Sequence, residues 1–267
     1  MNVVTSFFVI RALQSLNLAQ SAAPAVLSAA DVSTADRWKV IMDSAPAHVV
    51  ARQVEYEDCV VRTTSARSVR RLLLLVQDAA SFGLLKDRVI PRIDAADRHK
   101  LVPMLFARAP DQPLYSDLFT AAKTLAAPAT PTMVCNSDIF IPRDFNLERV
   151  VELFDEHAAK EERLALALTR YESERPGDAP LIHDYRGSHD AFVFRPKDLP
   201  IPFVEGVQHP QNCYKSENIV IHELQQAGFT VRNPCLSVRI VHHHAADVRQ
   251  WLPPVDEERY ARAFPEA

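Results

Sequence analysis

The sequence predicts an α/β protein, with one mostly parallel sheet and helices on both of its faces. Three observations carry that expectation. Apolar runs of strand length alternate with helical segments along the chain, the pattern of parallel strands joined by helical crossovers. Residues 69–76, Val-Arg-Arg-Leu-Leu-Leu-Leu-Val, run almost continuously apolar and close on Gln77 and Asp78, as a central strand covered on both faces does. Glu217–Ala227 reads as a helix stopped by Gly228, since glycine takes the left-handed conformation common at helix C-termini.

The remaining elements follow in order. Val3–Ile10 is dominated by β-branched and aromatic residues and reads as a buried first strand. Residues 11–36, rich in Ala, Ser and Leu, suggest an interrupted helix, and Trp38–Met42 opens another apolar stretch. His48–Val54 fits a short strand, Leu101–Phe106 a further one and Leu114–Leu125 a helix. Thr132–Ile141 is a strong strand, followed by Pro142 and an acidic helix, Leu147–Glu162. Leu164–Thr169, Ala191–Phe194, Phe229–Val231 and Leu236–Val241 complete the strands. The Pro-rich passage Pro196–Pro210 reads as a long loop, either beside a functional site or a stiffened surface connection.

Composition narrows the function. The 267 residues fit one large domain, long enough to bury a core without disulfides or structural metals. Thirty Lys and Arg against 34 Asp and Glu give a net charge of -4, so no nucleic-acid partner is expected. The local cluster Arg62, Arg67, Arg70 and Arg71 fits a solvated edge or a small anion patch. Cys59, Cys135, Cys213 and Cys235 form no CxxC pair, which argues against zinc and for a reducing compartment. The apolar N-terminus lacks a basic leader and is too short to span a bilayer. No integral membrane segment is expected, and the protein reads as cytoplasmic, at most peripheral to a membrane. With five glycines and no GxSxG, P-loop or GxGxxG segment, glycine-rich phosphate cradles are disfavoured.

The chemistry concentrates in Thr132–Ile141, where a strand delivers Asn136, Ser137 and Asp138 before returning to apolar sequence. Open α/β sheets bind ligands at the carboxyl ends of their strands. A hard cation bridging a diphosphate needs few protein oxygens, and Asp138 is a candidate for one; the alternative is a carboxylate capping the next turn. In an extended segment His242 and His244 share a face, with His243 on the other, and imidazoles favour Mn²⁺ over Mg²⁺. Asp190, beside a buried strand, could serve as a general base or only orient Arg186 or His189. Ser216 is a candidate N-cap, and Glu217 and Asn218 either complement the helix dipole or contact a bound ligand. Arg170, Arg186, Arg195 and Lys215 are candidates to neutralise an anionic leaving group.

Asn136-Ser137-Asp138 resembles the DxD element of GT-A nucleotide-sugar transferases, with Asn136 in place of the first Asp. Further segments resemble that family in the same order. They are Tyr115-Ser116-Asp117-Leu118-Phe119, Leu166–Glu172, Ser188–Arg195, Ser216–Leu224 with Ala227-Gly228-Phe229, Asn233-Pro234 and His242-His243-His244. The resemblance covers roughly residues 65–250, and residues 11–64 match poorly.

It implies a GT-A type fold, a single Rossmann-like sheet in one domain over 1–267, with a nucleotide-binding half, 1–135, and a metal and acceptor half, 136–267. It also implies a metal-dependent, hexosyltransferase-like glycosyltransferase of glycan or polysaccharide assembly. A nucleotide-sugar would be the donor, a glycan or lipid-linked molecule the acceptor, and a divalent cation, Mn²⁺ before Mg²⁺, would sit on the diphosphate. Within that reading Asp138 holds the metal and His242 or His244 completes its shell. Asn136, Asp138, Asp78, Thr5 and Ser6 face the donor, and Asp190 is the base of an inverting reaction. Two rivals are a sugar nucleotidyltransferase, which would carry a glycine-rich loop where this chain has Val9-Ile10-Arg11-Ala12, and a non-catalytic carbohydrate- or partner-binding protein on the same scaffold.

Overall fold

The computed structural model describes residues 1–22, 34–105, 112–172, 188–246, 248 and 252–266. Parts of the expected 11–36 helix, Phe106 and Arg186 lie outside them. In chain order the strands are β1 (Asn2–Phe7), β2 (Arg71–Val76), β3 (Leu101–Leu105), β4 (Thr132–Cys135), β5 (Ile139–Phe140), β6 (Arg163–Thr169), β7 (Tyr171–Glu172), β8 (His189–Phe194), β9 (Phe229–Arg232) and β10 (Val241–His242). The helices are α1 (Arg11–Ala22), α2 (Thr34–Ser44), α3 (Ala47–Ser65), α4 (Ala79–Leu84), α5 (Tyr115–Leu125), α6 (Leu147–Ala158), α7 (Ile201–Gly206) and α8 (Ser216–Gln226).

Seven strands form the main sheet in the order β3-β2-β1-β4-β8-β6-β9. All run one way except β8, which is antiparallel to both β4 and β6. The apolar run of β2 shows why the sheet is covered twice. Leu72, Leu74 and Val76 enter one core with Val3, Phe7, Met133 and Leu166. Leu73 and Leu75 enter the other with Val4, Val134, Ala165 and Phe192. Side chains alternate across a strand, so an apolar run with both faces buried demands helices on each side. Val150, Leu153 and Phe154 of α6 and Val49 and Val60 of α3 close the first core. Tyr115, Leu118 and Phe119 of α5, Phe203 of α7 and Val220, Ile221 and Leu224 of α8 close the second.

A second, three-stranded sheet, β5-β10-β7, is built from pairs of two-residue strands. Its members follow β4, β6 and the C-terminal core segment, so it extends past the carboxyl ends of the main strands.

Four expectations change. His48–Val54 is not a strand but the first half of α3. Val49, Gln53, Val60 and Thr64 are buried at helical spacing, and that period emerges only over a window longer than seven residues. Thr132–Ile141 is two strands in different sheets, because the chain turns at Asn136, whose carbonyl accepts from the Ile139 amide at 3.2 Å. Pro196–Pro210 is not a free loop: it holds a short 3₁₀ turn and α7, whose Phe203 packs edge-on against Phe119 at 4.9 Å. Leu236–Val241 contributes only Val241 to a strand.

Gly228 follows α8 at φ +79° as expected, donating its amide to the Gln225 carbonyl at 3.0 Å. Ser216 does not cap α8. Lys215 precedes it in the left-handed region (φ 65°, ψ 15°), and the Ser216 hydroxyl donates instead to the Gln211 carbonyl at 2.7 Å.

Candidate functional site

A cavity of about 270 Å³ opens where the parallel strands end. Ser6, Asn136, Asp138, Asp190, Glu217 and His242 are among its walls. The topology explains how they meet. Because β8 runs against β4, the first residues of β8 lie beside the last of β4, and the Asn136 amide donates to the Asp190 carbonyl at 3.0 Å. The small sheet does the rest: His242 pairs with Ile139 on one side and Glu172 on the other. The His243 amide donates to the Asp138 carbonyl at 2.8 Å. Backbone pairing alone thus gathers side chains from three distant segments.

Asp138, His242 and His244 form one cluster, with their potential ligand atoms all within 4.8 Å of one another. His242 Nε2 lies 3.2 Å and His244 Nδ1 3.7 Å from Asp138 Oδ2. His242 Nδ1 is held by Glu172 Oε2 at 2.7 Å, the carboxylate–imidazole pairing that orients metal ligands. His244 Nε2 is buried with no hydrogen-bond partner among the described residues. This donor set of one carboxylate and two imidazoles suits a transition-metal dication. Burial would raise the Asp138 pKa, but His242, His244 and Arg52 together hold its carboxyl well below the usual carboxylate range. Burial would likewise lower His242, yet Asp138 and Glu172 lift it to about 9. Glu172 is drawn down to about 2, against its burial, by His242 and Arg170.

A second network surrounds Asp190, which is 3% exposed. Arg170 Nη1 reaches both of its oxygens, at 3.0 and 3.1 Å, and Asn136 Nδ2 donates to Oδ1 at 2.9 Å. The Asn136 Oδ1 atom accepts from Gln211 Nε2 at 2.9 Å and from the Tyr115 hydroxyl at 3.3 Å. Arg170 also binds Glu172 through Nε at 2.7 Å, so one guanidinium ties the two networks together. Both Arg170 and Arg52 are held firmly protonated by these carboxylates despite burial.

The other candidates divide. Ser6 lines the cavity, its hydroxyl 3.0 Å from that of Ser137. Thr5 is buried behind it and donates to the Cys135 carbonyl at 2.9 Å, joining β1 to β4 rather than facing the cavity. Asp78 caps α4, accepting the Ser81 amide at 2.7 Å, and takes Gln14 Nε2 at 2.8 Å. It too is absent from the cavity wall. Asn218 is spent on the Ala261 carbonyl, His189 on Ala263 and Arg195 on Asp155. Lys215 Nζ lies 5.4 Å from the rings of Tyr214 and Tyr260.

Sequence reasoning missed Arg52, Tyr56, Gln211 and the role of Glu172. Arg52 donates to Asp138 Oδ2 at 2.6 Å and to Glu55 at 2.8 Å, and lies 4.4 Å over the Tyr56 ring. A charged residue on the inner stripe of a helix was the available signal, hidden once the segment was read as a strand. Nothing in the local sequence marks Gln211.

No family model matches this sequence, and no curated protein matches it. Among solved structures the chain is similar to S. aureus TarS 1-349, with a TM-score of 0.48 and 7% identity over 91% of this chain and 60% of that one. It is similar to a protein described as a glucose-1-phosphate thymidylyltransferase from Bacillus anthracis, with a TM-score of 0.39 and 8% identity over 92% of each chain. It is also similar to the 4-diphosphocytidyl-2C-methyl-D-erythritol synthase of Anaerococcus prevotii, with a TM-score of 0.41 and 8% identity over 93% of this chain and 92% of that one. The chain spans about three-fifths of the first of these. At such identities the chemistry has to be read from the site itself. No helix among the described residues is long and apolar enough to cross a membrane.

Proposed function

We propose that the protein is a metal-dependent glycosyltransferase of the GT-A type, moving a sugar from a nucleoside-diphosphate donor to a hydroxyl-bearing acceptor. The observation that carries this reading is the convergence of Asp138, His242 and His244 on the wall of a cavity at the carboxyl ends of parallel strands. One domain would do this, residues 1–135 receiving the nucleotide and residues 136–267 supplying the metal ligands and the acceptor side. A bound dication, Mn²⁺ before Mg²⁺ with this donor set, would supply Lewis acidity to the departing diphosphate.

The chain's own groups do the remainder. Arg52 and Arg170 supply fixed positive charge at the cavity wall where negative charge develops. Asn136, which cannot bring the charge of an aspartate, instead orients Asp190 and Gln211 through its two amide atoms. Phe8 and Tyr56, 4.8 Å apart at the wall, offer aromatic surface to a nucleobase.

Calorimetric titration of UDP, GDP, CMP and dTDP, with Mn²⁺ and then with EDTA, tests the reading. One nucleotide is expected to bind at least about tenfold more tightly with metal, and Asp138→Ala should erase the difference. A folded protein that binds none of them would overturn it. Release of nucleoside diphosphate from the matched nucleotide sugar, with no pyrophosphate released from nucleoside triphosphate and sugar 1-phosphate, separates it from nucleotidyl transfer.

A further inference from the structure

Among the described residues, two carboxyls besides the Asp138 cluster face the cavity, Asp190 and Glu217, and their surroundings differ. Asp190 has both oxygens engaged by Arg170, and Asn136 adds a third donor. A proton arriving on that carboxylate has to compete with a guanidinium N–H bridged across both of its oxygens. Glu217 forms no ion pair among the described residues. Its carboxyl sits at the start of α8, near its own backbone N–H and Ser216, whose hydroxyl proton is already given to the Gln211 carbonyl. It stands on a rigid element: Ser216 is fixed by Gln211, and its carbonyl lies 3.1 Å from His209 Nε2.

Resting on the transferase reading, we propose that Glu217, not Asp190, is the general base that activates the acceptor hydroxyl, and that Asp190 is a positioning residue holding Arg170 and Asn136. In the step, the acceptor O–H proton passes to a Glu217 carboxylate oxygen as the acceptor oxygen bonds to the anomeric carbon. The bond from that carbon to the donor phosphate oxygen breaks, and its electron pair leaves on the nucleoside diphosphate. The sugar configuration inverts. Burial first, and then the charge of Asp190, push the Glu217 carboxyl up to about 8, which gives it the proton affinity the role needs. Arg170 faces the same region and opposes that rise, while Asp190 reinforces it.

The test is the initial rate with the matched nucleotide sugar and metal, read across about pH 6 to 10. In the wild type the rate should climb with pH as one carboxyl ionises. Glu217→Gln should lose roughly 10²–10⁴-fold and flatten the climb, with folding checked by circular dichroism. Glu217→Asp should retain a climbing profile at reduced rate. Asp190→Asn should keep the climb but shift it to lower pH, because a neighbouring negative charge is gone. The assignment is overturned if Glu217→Gln keeps the wild-type rate and profile, or if Asp190→Asn abolishes the climb. A wild type that turns over no nucleotide sugar removes the parent reaction and the base together, whereas an active wild type with an active Glu217→Gln removes the base alone.

Discussion

Arg52 Nη2 lies 2.6 Å from Asp138 Oδ2, the same oxygen that His242 Nε2 approaches at 3.2 Å. A single carboxylate oxygen therefore serves a permanent cation and a titratable one, both almost wholly buried. Removing the guanidinium leaves Asp138 and Glu55 short of a partner. Arg52→Met is expected to cost roughly 3–5 kcal/mol in the metal-free protein, as when one member of a buried pair is deleted. Urea denaturation measures it, and added Mn²⁺ should recover part of the loss by restoring positive charge. A cost below about 1 kcal/mol would show that the pair is not structural.

His242 makes the stability of the metal-free protein depend on pH. Its pKa rises from 6.5 to about 9 on folding, so the folded state holds that proton more tightly than the unfolded chain. The resulting stability is complete below pH 6.5 and is lost as pH climbs through about 9. Glu172 acts at the other end: its pKa falls from 4.5 to about 2. Its contribution is present above 4.5 and disappears on acidification through about 2. Thermal melts of the metal-free protein should flatten above neutrality in His242→Asn; an unchanged alkaline decline would refute the assignment.

Glu172 also fixes which His242 nitrogen faces Asp138. Glu172→Gln retains a hydrogen-bonding group but removes the charge that orients the ring. Mn²⁺ affinity, followed by electron paramagnetic resonance, should drop about 10–100-fold. Equal affinity in the two proteins would place the metal elsewhere.

The second core has an aromatic centre. Phe119 lies 4.9 Å from Phe203, 5.2 Å from Phe194 and 6.3 Å from Phe192, and it is fully buried. Phe119→Ala should cost about 3–5 kcal/mol by denaturant unfolding. A much smaller cost would mean that α7 collapses into the space.

What could be read from the sequence was whatever leaves a local imprint. The apolar run of β2, the Gly228 stop and the polar interruption at Asn136–Asp138 each express their structure within ten residues. The shared face of His242 and His244 followed from strand geometry, and both imidazoles do turn to Asp138 while His243 Nε2 lies 3.6 Å from Asp58. The rest depends on pairing between segments far apart in sequence. Arg52 meets Asp138 across 86 residues, and Asn136 meets Asp190 across 54. Asp78 and Thr5, which the family resemblance put on the donor side, bond to Ser81 and Gln14 and to the Cys135 carbonyl, partners that only the fold brings near. Glu217 was visible as a helix-start acid, but that it forms no ion pair among the described residues could be seen only once Arg170 was found paired with Asp190.

The small sheet also sets an order in time. Contacts between partners so distant along the chain form late, because a long loop must close before they return any energy. His242 trails Asp138 by 104 residues, so a chain still emerging during synthesis can finish β1, β2 and β4 while lacking two of the three residues of the candidate metal cluster. On the transferase reading, metal and nucleotide would be gripped only after β10 has taken its place between β5 and β7. Capture of an ion there would report that residues 241–244 had reached Asp138.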